Sequence, residues 1–155
     1  MDRIAREADA HFPDAARDLL LPDGSPDGAI PDHITHQTSA LAREIRADAI
    51  VIPTSSGRAA RLVARHRPPM PIVASSQSDA VLRQLALVWG VRPVPLSVAP
   101  QAGEDRLELV VRAAFVHGAV RAGDRVVVLA EHIVEEGERF PTVRVVRDGG
   151  RSGEP

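Results

Sequence analysis

The sequence predicts an α/β fold of three layers, a mostly parallel sheet with helices on both faces. From Asp32 onward, short β-branched runs alternate with stretches of helical periodicity. Such alternation, joined by right-handed crossovers, builds a parallel sheet covered on both sides. The last β-branched run follows its predecessor after about ten residues with no helix between them, so it is expected to run antiparallel.

Met1 to about Phe12 reads as a short helix with Ile4, Ala5 and Ala8 on one side, too short to be stable without a docking surface. Residues 13–31 carry Pro13, Pro22, Pro26, Pro31, Gly24 and Gly28 and read as a linker. The domain proper is assigned to 32–147. Asp32 is placed as the N-cap of a helix to about Arg46, with Ile34, Thr38, Leu41, Ala42 and Ile45 on one face. Ala49–Ile52 is a continuous apolar run, as in a strand buried on both faces. Gly57 opens a helix to His66, whose inward stripe is Ala59, Leu62, Val63 and His66 and whose outer stripe is Arg58, Arg61 and Arg65. Prolines 68, 69 and 71 stop it.

Ile72–Ala74 is the second strand. A helix from Ser78 to Trp89 follows, with Leu82, Leu85, Ala86 and Trp89 at helical spacing and Gly90 as its stop. Val91–Val98 is a third strand, and Pro93 and Pro95 assign it to a sheet edge. Glu104–His117 is a helix with Leu107, Val110, Val111, Ala114 and Phe115 in register, and Asp124–Ala130 is the fourth strand. An acidic loop, Glu131–Pro141, leads to a last strand at Thr142–Val146, and residues 148–155 are read as a frayed tail.

Composition narrows the chemistry. The chain has 155 residues, 44% hydrophobic and 26% charged, the profile of one globular domain. Net charge is -2, which implies no general attraction to nucleic acid or anionic membrane. The absence of Cys excludes disulfides, thiolate nucleophiles and Cys-ligated zinc. All 19 basic residues are Arg, so a Schiff-base or phosphoryl-clamping lysine is excluded as well. With no apolar stretch of membrane-spanning length and a polar N-terminus, a soluble cytoplasmic protein is the expectation.

The best candidate site is Pro53-Thr54-Ser55-Ser56-Gly57-Arg58, after the first strand and at a helix start. Hydroxyls, backbone N–H groups and the positive end of the helix dipole suit a phosphate or carboxylate, at the strand ends where open α/β sheets gather ligands. Equally, Ser55 or Ser56 would simply cap the helix. The acidic loop, with Glu131, His132, Glu135, Glu136 and Glu138, could hold a metal only if several side chains converged, and reads more simply as solvated surface. His33 and His36 form a pair that would need further ligands. Trp89 is assigned to core or subunit packing. No Ser-His-Asp set and no carboxylate pair is visible, so no catalytic and no metal-binding residue is assigned.

Ala49-Ile50-Val51-Ile52-Pro53-Thr54-Ser55-Ser56-Gly57-Arg58-Ala59-Ala60-Arg61-Leu62-Val63, then Arg67-Pro68 to Pro71-Ile72-Val73-Ala74, then Arg83-Gln84-Leu85-Ala86-Leu87-Val88-Trp89-Gly90-Val91 resemble, in order and spacing, the C-terminal domain of pyruvate kinase. Met1 to Ala8 resembles the last helix of the catalytic barrel ahead of that domain. The resemblance implies a five-stranded mixed sheet, order 3-2-1-4-5, with the fifth strand antiparallel. It also implies a regulatory and oligomerisation role, with a second copy of the chain or a pyruvate kinase barrel as partner and a phosphorylated small molecule as effector. Nucleic acid and membrane are not implied.

By the same resemblance the Mg²⁺ and K⁺ ligands for phosphoryl transfer from phosphoenolpyruvate to ADP belong to the barrel, so no cofactor is assigned to this chain and it is expected to be inactive alone. Thr54, Ser55, Ser56 and Gly57, with Arg58 beside them, fall on the family's effector-phosphate loop. Ala59 stands where the family often has a further hydroxyl. Glu135-Glu136-Gly137-Glu138 replaces a usually Gly-rich closing loop, and its charges would repel a bisphosphate. The alternative is a stand-alone binding protein for phosphate or a phosphorylated metabolite on the same fold.

Overall fold

The computed structural model describes Glu7 and residues 26–97, 106–133 and 139–147. Its elements run α1 (Pro26–Glu44), β1 (Ala49–Pro53), α2 (Arg58–Arg65), β2 (Ile72–Ser76), α3 (Asp79–Leu85), β3 (Val91–Pro95), α4 (Arg106–Val116), β4 (Arg125–Ile133) and β5 (Arg139–Arg147). The five strands form one sheet in the order β3-β2-β1-β4-β5. β1 lies at its centre, parallel to β2 and to β4, while β4 and β5 are antiparallel. The predicted architecture and strand order are those observed.

Side-chain alternation along the strands divides the core in two, because successive residues point to opposite faces. Ile50, Ile52, Ile72, Ala74, Val127 and Leu129 pack with Ala42 of α1, Ala60 and Val63 of α2, and Leu85 of α3. Ala49, Val51, Val73, Val126 and Val128 pack on the opposite face with Val110 and Ala114 of α4. Both faces of β1 are therefore dry, and its unbroken apolar run follows from that. β3 is an edge strand, where Pro93 and Pro95 leave no partner strand unsatisfied. Among the described residues no helix is long and apolar enough to cross a membrane.

Several boundaries differ from the sequence expectation. α1 begins at Pro26, so the linker drawn over 13–31 loses its last six residues to a helix, and Asp32 lies inside that helix instead of capping it. Pro26 suits a first helical position because its missing N–H has no partner to lose there. Freed from capping, the Asp32 carboxylate accepts a hydrogen bond from Arg65 at 2.9 Å and ties α1 to α2. Of the segment 1–12 only Glu7 is described, and it is helical. Residues 13–25 and 148–155 lie outside the described residues.

The acidic loop is largely a hairpin. The β4–β5 ladder runs from Arg125↔Arg147 to Ile133↔Arg139, so residues 131–133 and 139–141 are strand, and 134–138 lie outside the described residues. α3 ends at Leu85, short of Trp89, and its inward face is Val81 and Leu85, with Val88 beyond the helix end, in place of Leu82, Leu85, Ala86 and Trp89. Trp89 is 38% exposed, with the Arg67 guanidinium 5.2 Å from its ring centroid, instead of in the core. Phe115 is likewise exposed, on the flank of an α4 stripe led by Val110, Ala113 and Ala114.

Polar groups inside α1 are satisfied locally. Thr35, Thr38 and Ser39 are buried, and their hydroxyls donate to the carbonyls of Asp32, Ile34 and Thr35 one turn back. His66, the C-cap of α2, is different: it is fully buried and neither ring nitrogen has a hydrogen-bond partner. Its ring meets that of His36 edge-on at a centroid distance of 5.3 Å.

Candidate functional site

β1 delivers the chain to the C-terminal edge of the sheet, where Thr54 continues the strand by donating its N–H to the Ser75 carbonyl at 2.9 Å. The chain then turns sharply into α2. The Gly57 N–H donates to Thr54 Oγ1 at 2.8 Å, and the Arg58 N–H to Ser56 Oγ at 3.4 Å. Gly57 makes the turn at φ 77°, with its Cα close against Leu85. Two of the helix-start amides that an anion would use are thus already capped by the loop's own hydroxyls. The Arg58 bond is long and weak. An accepting hydroxyl also keeps its own hydrogen to donate, so Thr54 and Ser56 remain donors.

Around this turn, Ser55 and Ser56 are exposed and so is Arg58. Arg61 is committed: one guanidinium nitrogen donates to the Ser56 carbonyl at 3.2 Å and the other to Gln84 Oε1 at 2.9 Å. Arg61 therefore braces the turn against α3, and Arg65 is taken by Asp32, which leaves Arg58 as the cation of the α2 outer stripe that faces solvent at the turn. The structure brings Thr54, Ser55, Ser56, Gly57 and Arg58 together as one connected unit. His33 and His36 gain no further ligands: among the described residues no three His, Cys, Asp or Glu side chains are grouped to hold a metal.

A neighbouring feature lies outside the residues singled out from the sequence. Beside the turn lies an open cavity of about 310 Å³ bounded by Pro53, Thr54 and Ser55 on one side and by Ser75–Ser78 and Leu96 on the other. Sequence reading ended the second strand at Ala74, whereas it runs on through Ser75 and Ser76, both buried. The signal was the Ser-Ser-Gln-Ser run directly after an apolar strand, the counterpart of Thr-Ser-Ser after β1.

A three-layer α/β domain with its hydroxyl-bearing residues gathered at the C-terminal edge of parallel strands is the class that fold and edge define. Residues 32–146 match the model of the pyruvate kinase alpha/beta domain, and the chain belongs to that family. It is 40% identical over 103 residues to a pyruvate kinase of Geobacillus stearothermophilus, a match covering 65% of this chain and 17% of the relative. It is 36% identical over 99 residues to one from Clostridium acetobutylicum, covering 64% of this chain and 21% of the relative. The chain thus matches about a fifth of the length of these curated relatives. Among solved structures, Cryptosporidium parvum pyruvate kinase in complex with ADP superimposes with a TM-score of 0.72 at 20% identity, over 94% of this chain and 29% of that one, a likeness of fold.

Proposed function

We propose that the chain is a regulatory and oligomerisation module of pyruvate kinase, tied to the conversion of phosphoenolpyruvate to pyruvate in the cytoplasm. In this reading it is not catalytic alone, and its Thr54–Arg58 turn holds the anionic end of a small-molecule effector. The supporting observation is the turn itself: three hydroxyl side chains and an exposed arginine at the positive end of α2, on the edge of the sheet. The absence of lysine from the sequence supports the lack of independent phosphoryl transfer. A second reading, a stand-alone binder of phosphate or a phosphorylated metabolite, is favoured by the turn being built wholly from this chain's residues.

Ser56→Asp is expected to abolish anion binding. Its carboxylate still accepts from the Arg58 amide and suits a helix start, so the fold survives while a negative charge occupies the anion's place. Calorimetry with inorganic phosphate and sugar monophosphates, wild type against variant, checks this, and equal binding by both removes the turn from consideration. The isolated chain is also expected to form no pyruvate from phosphoenolpyruvate and ADP. Measurable turnover in a coupled assay overturns that expectation.

A further inference from the structure

We propose that α1 is an acid-released strap: protonation of the buried His66 lifts α1 from α2 and admits water to the seam between them, while the five-stranded sheet stays folded. The seam lies at the C-cap of α2, the end opposite the Thr54–Arg58 turn.

The fold accommodates only the neutral imidazole. His66 is fully buried, and neither ring nitrogen has a hydrogen-bond partner. Protonation turns both nitrogens into donors, and among the described residues neither has an acceptor in place. The surrounding charges oppose a cation as well. α1 brings Arg43 and His36, whose ring meets that of His66 edge-on at 5.3 Å, and α2 brings Arg65. The carboxylate that bears on the ring, Asp32 of α1, is engaged by Arg65 at 2.9 Å. The strand residues on this face, Ile50, Ile52, Ile72 and Ala74, carry no charge.

Of the two helices, α1 is the one that can leave. α2 commits Ala60, Val63 and Ala64 to the core. The deepest stripe of α1 is Thr35, Thr38, Ser39 and Ala42, at helical spacing and each at most 2% exposed. Three of these four carry hydroxyls that donate to carbonyls of α1 itself, so those bonds survive undocking and the stripe buries little apolar surface. Ile34, Leu41 and Ile45 are only partly buried. Gly28 and Pro31 weaken the helix from within, and the Asp32–Arg65 ion pair is partly exposed on both sides and adds little. An element held this way opens before the rest of its domain. Opening hydrates His66 and carries His36 and Arg43 away from it, so the open form takes up a proton near pH 6.5 and the closed form only near pH 4. Closure is strongest above about pH 6.5 and weakens as pH falls toward 4. Residues 1–25 reach the sheet through α1, so their attachment loosens with it.

The chain has no cysteine, so one introduced thiol reports on one place. Ser39→Cys puts it beneath α1 and Val73→Cys inside the sheet, both at fully buried positions. Each is labelled with dithiodipyridine, which reacts in acid as well, and each rate is divided by that of the same variant unfolded in urea at the same pH. At pH 5.5 the ratio for Ser39→Cys is expected to exceed that for Val73→Cys by about tenfold or more. From pH 7.5 it is expected to rise about tenfold by pH 5.5 and about 70-fold by pH 4.5. Adding His66→Leu to Ser39→Cys is expected to cut the larger rise to about threefold or less, because no imidazole remains to titrate. Should either thiol unfold its variant, amide exchange on the unmodified chain and on His66→Leu takes its place, with residues 38–42 expected to be about tenfold or more less protected than Val51 and Val73 at pH 5.5. Equal accessibility of helix and sheet, no rise in acid, or a rise that His66→Leu leaves undiminished overturns the proposal.

Discussion

Acidification from pH 7.5 to 4.5 is expected to remove roughly 2–3 kcal/mol of folding stability through His66 alone. Burial is the main cause. It strips the imidazolium of water, and the neighbouring His36, Arg65 and Arg43 add repulsion, so the pKa falls from 6.5 to about 4, with Asp32 opposing weakly. A histidine at a helix C-terminus would ordinarily gain from being charged, by up to about 2 kcal/mol. Here desolvation exceeds that gain. The unfolded chain takes up a proton near pH 6.5 and the folded one only near pH 4, so the unfolded state binds more protons throughout that window. Stability is therefore complete above about pH 6.5, falls as pH drops toward 4, and loses nothing more through this group below that.

His66→Leu separates this effect from the carboxylates that titrate in the same acid range. Leucine keeps the site apolar and leaves no unpaired nitrogen, so the variant is expected to match or exceed wild type at pH 7.5. At pH 4.5 its melting temperature is expected to lie about 10 °C further above wild type than it does at pH 7.5. Parallel curves for the two proteins across that range would show that the imidazole is either solvated or paired when the chain is folded.

Much of this fold is legible in the order of its residues because the strongest signals are local and mutually consistent. The run Ala49–Ile52 fits a strand buried on both faces, and a return of about ten residues without a helix before Thr142 favours an antiparallel strand; both are observed. The misreadings share a different character. Glu131 and His132 read as loop residues because charge is enriched in loops, yet the ladder pairs them with Pro141 and Phe140. Pro26, Gly28 and Pro31 read as punctuation because intrinsic propensity opposes a helix there, yet α1 starts at Pro26 and runs through them.

The site divides in the same way. Thr54–Arg58 was visible as a hydroxyl-rich strand-to-helix junction. That Arg61 would be used up bracing Gln84, leaving Arg58 toward solvent, depends on α3 lying 23 residues downstream beside α2. The orphaned hydroxyl of Ser75 is wholly a product of tertiary burial, since a serine after a strand looks the same whether or not anything meets it.

Gly57→Ala is expected to destabilise the chain by about 2–3 kcal/mol, lowering the melting temperature by roughly 10 °C. Two separable penalties combine. At φ 77° an L-residue pays about 1–2 kcal/mol for the left-handed conformation. In addition, a Cβ at this position would stand 3.1 Å from Leu85 Cδ2 and 3.3 Å from its Cγ. Leu85 is fully buried in the first core cluster and must give by a few tenths of an ångström against packed neighbours, so the crowding adds about 1 kcal/mol. A double-mutant cycle apportions them. Leu85→Ala alone leaves a cavity and costs about 2–5 kcal/mol, but in its presence the added methyl of Gly57→Ala meets empty space. The pair is therefore expected to be about 1 kcal/mol less destabilised than the sum of the singles, the remaining glycine cost being conformational. Strict additivity would mean that Leu85 does not press on the turn. In that case the turn would be held by its own hydroxyl-to-amide bonds and by the Arg61 brace to Gln84, with no part played by the Leu85 side chain.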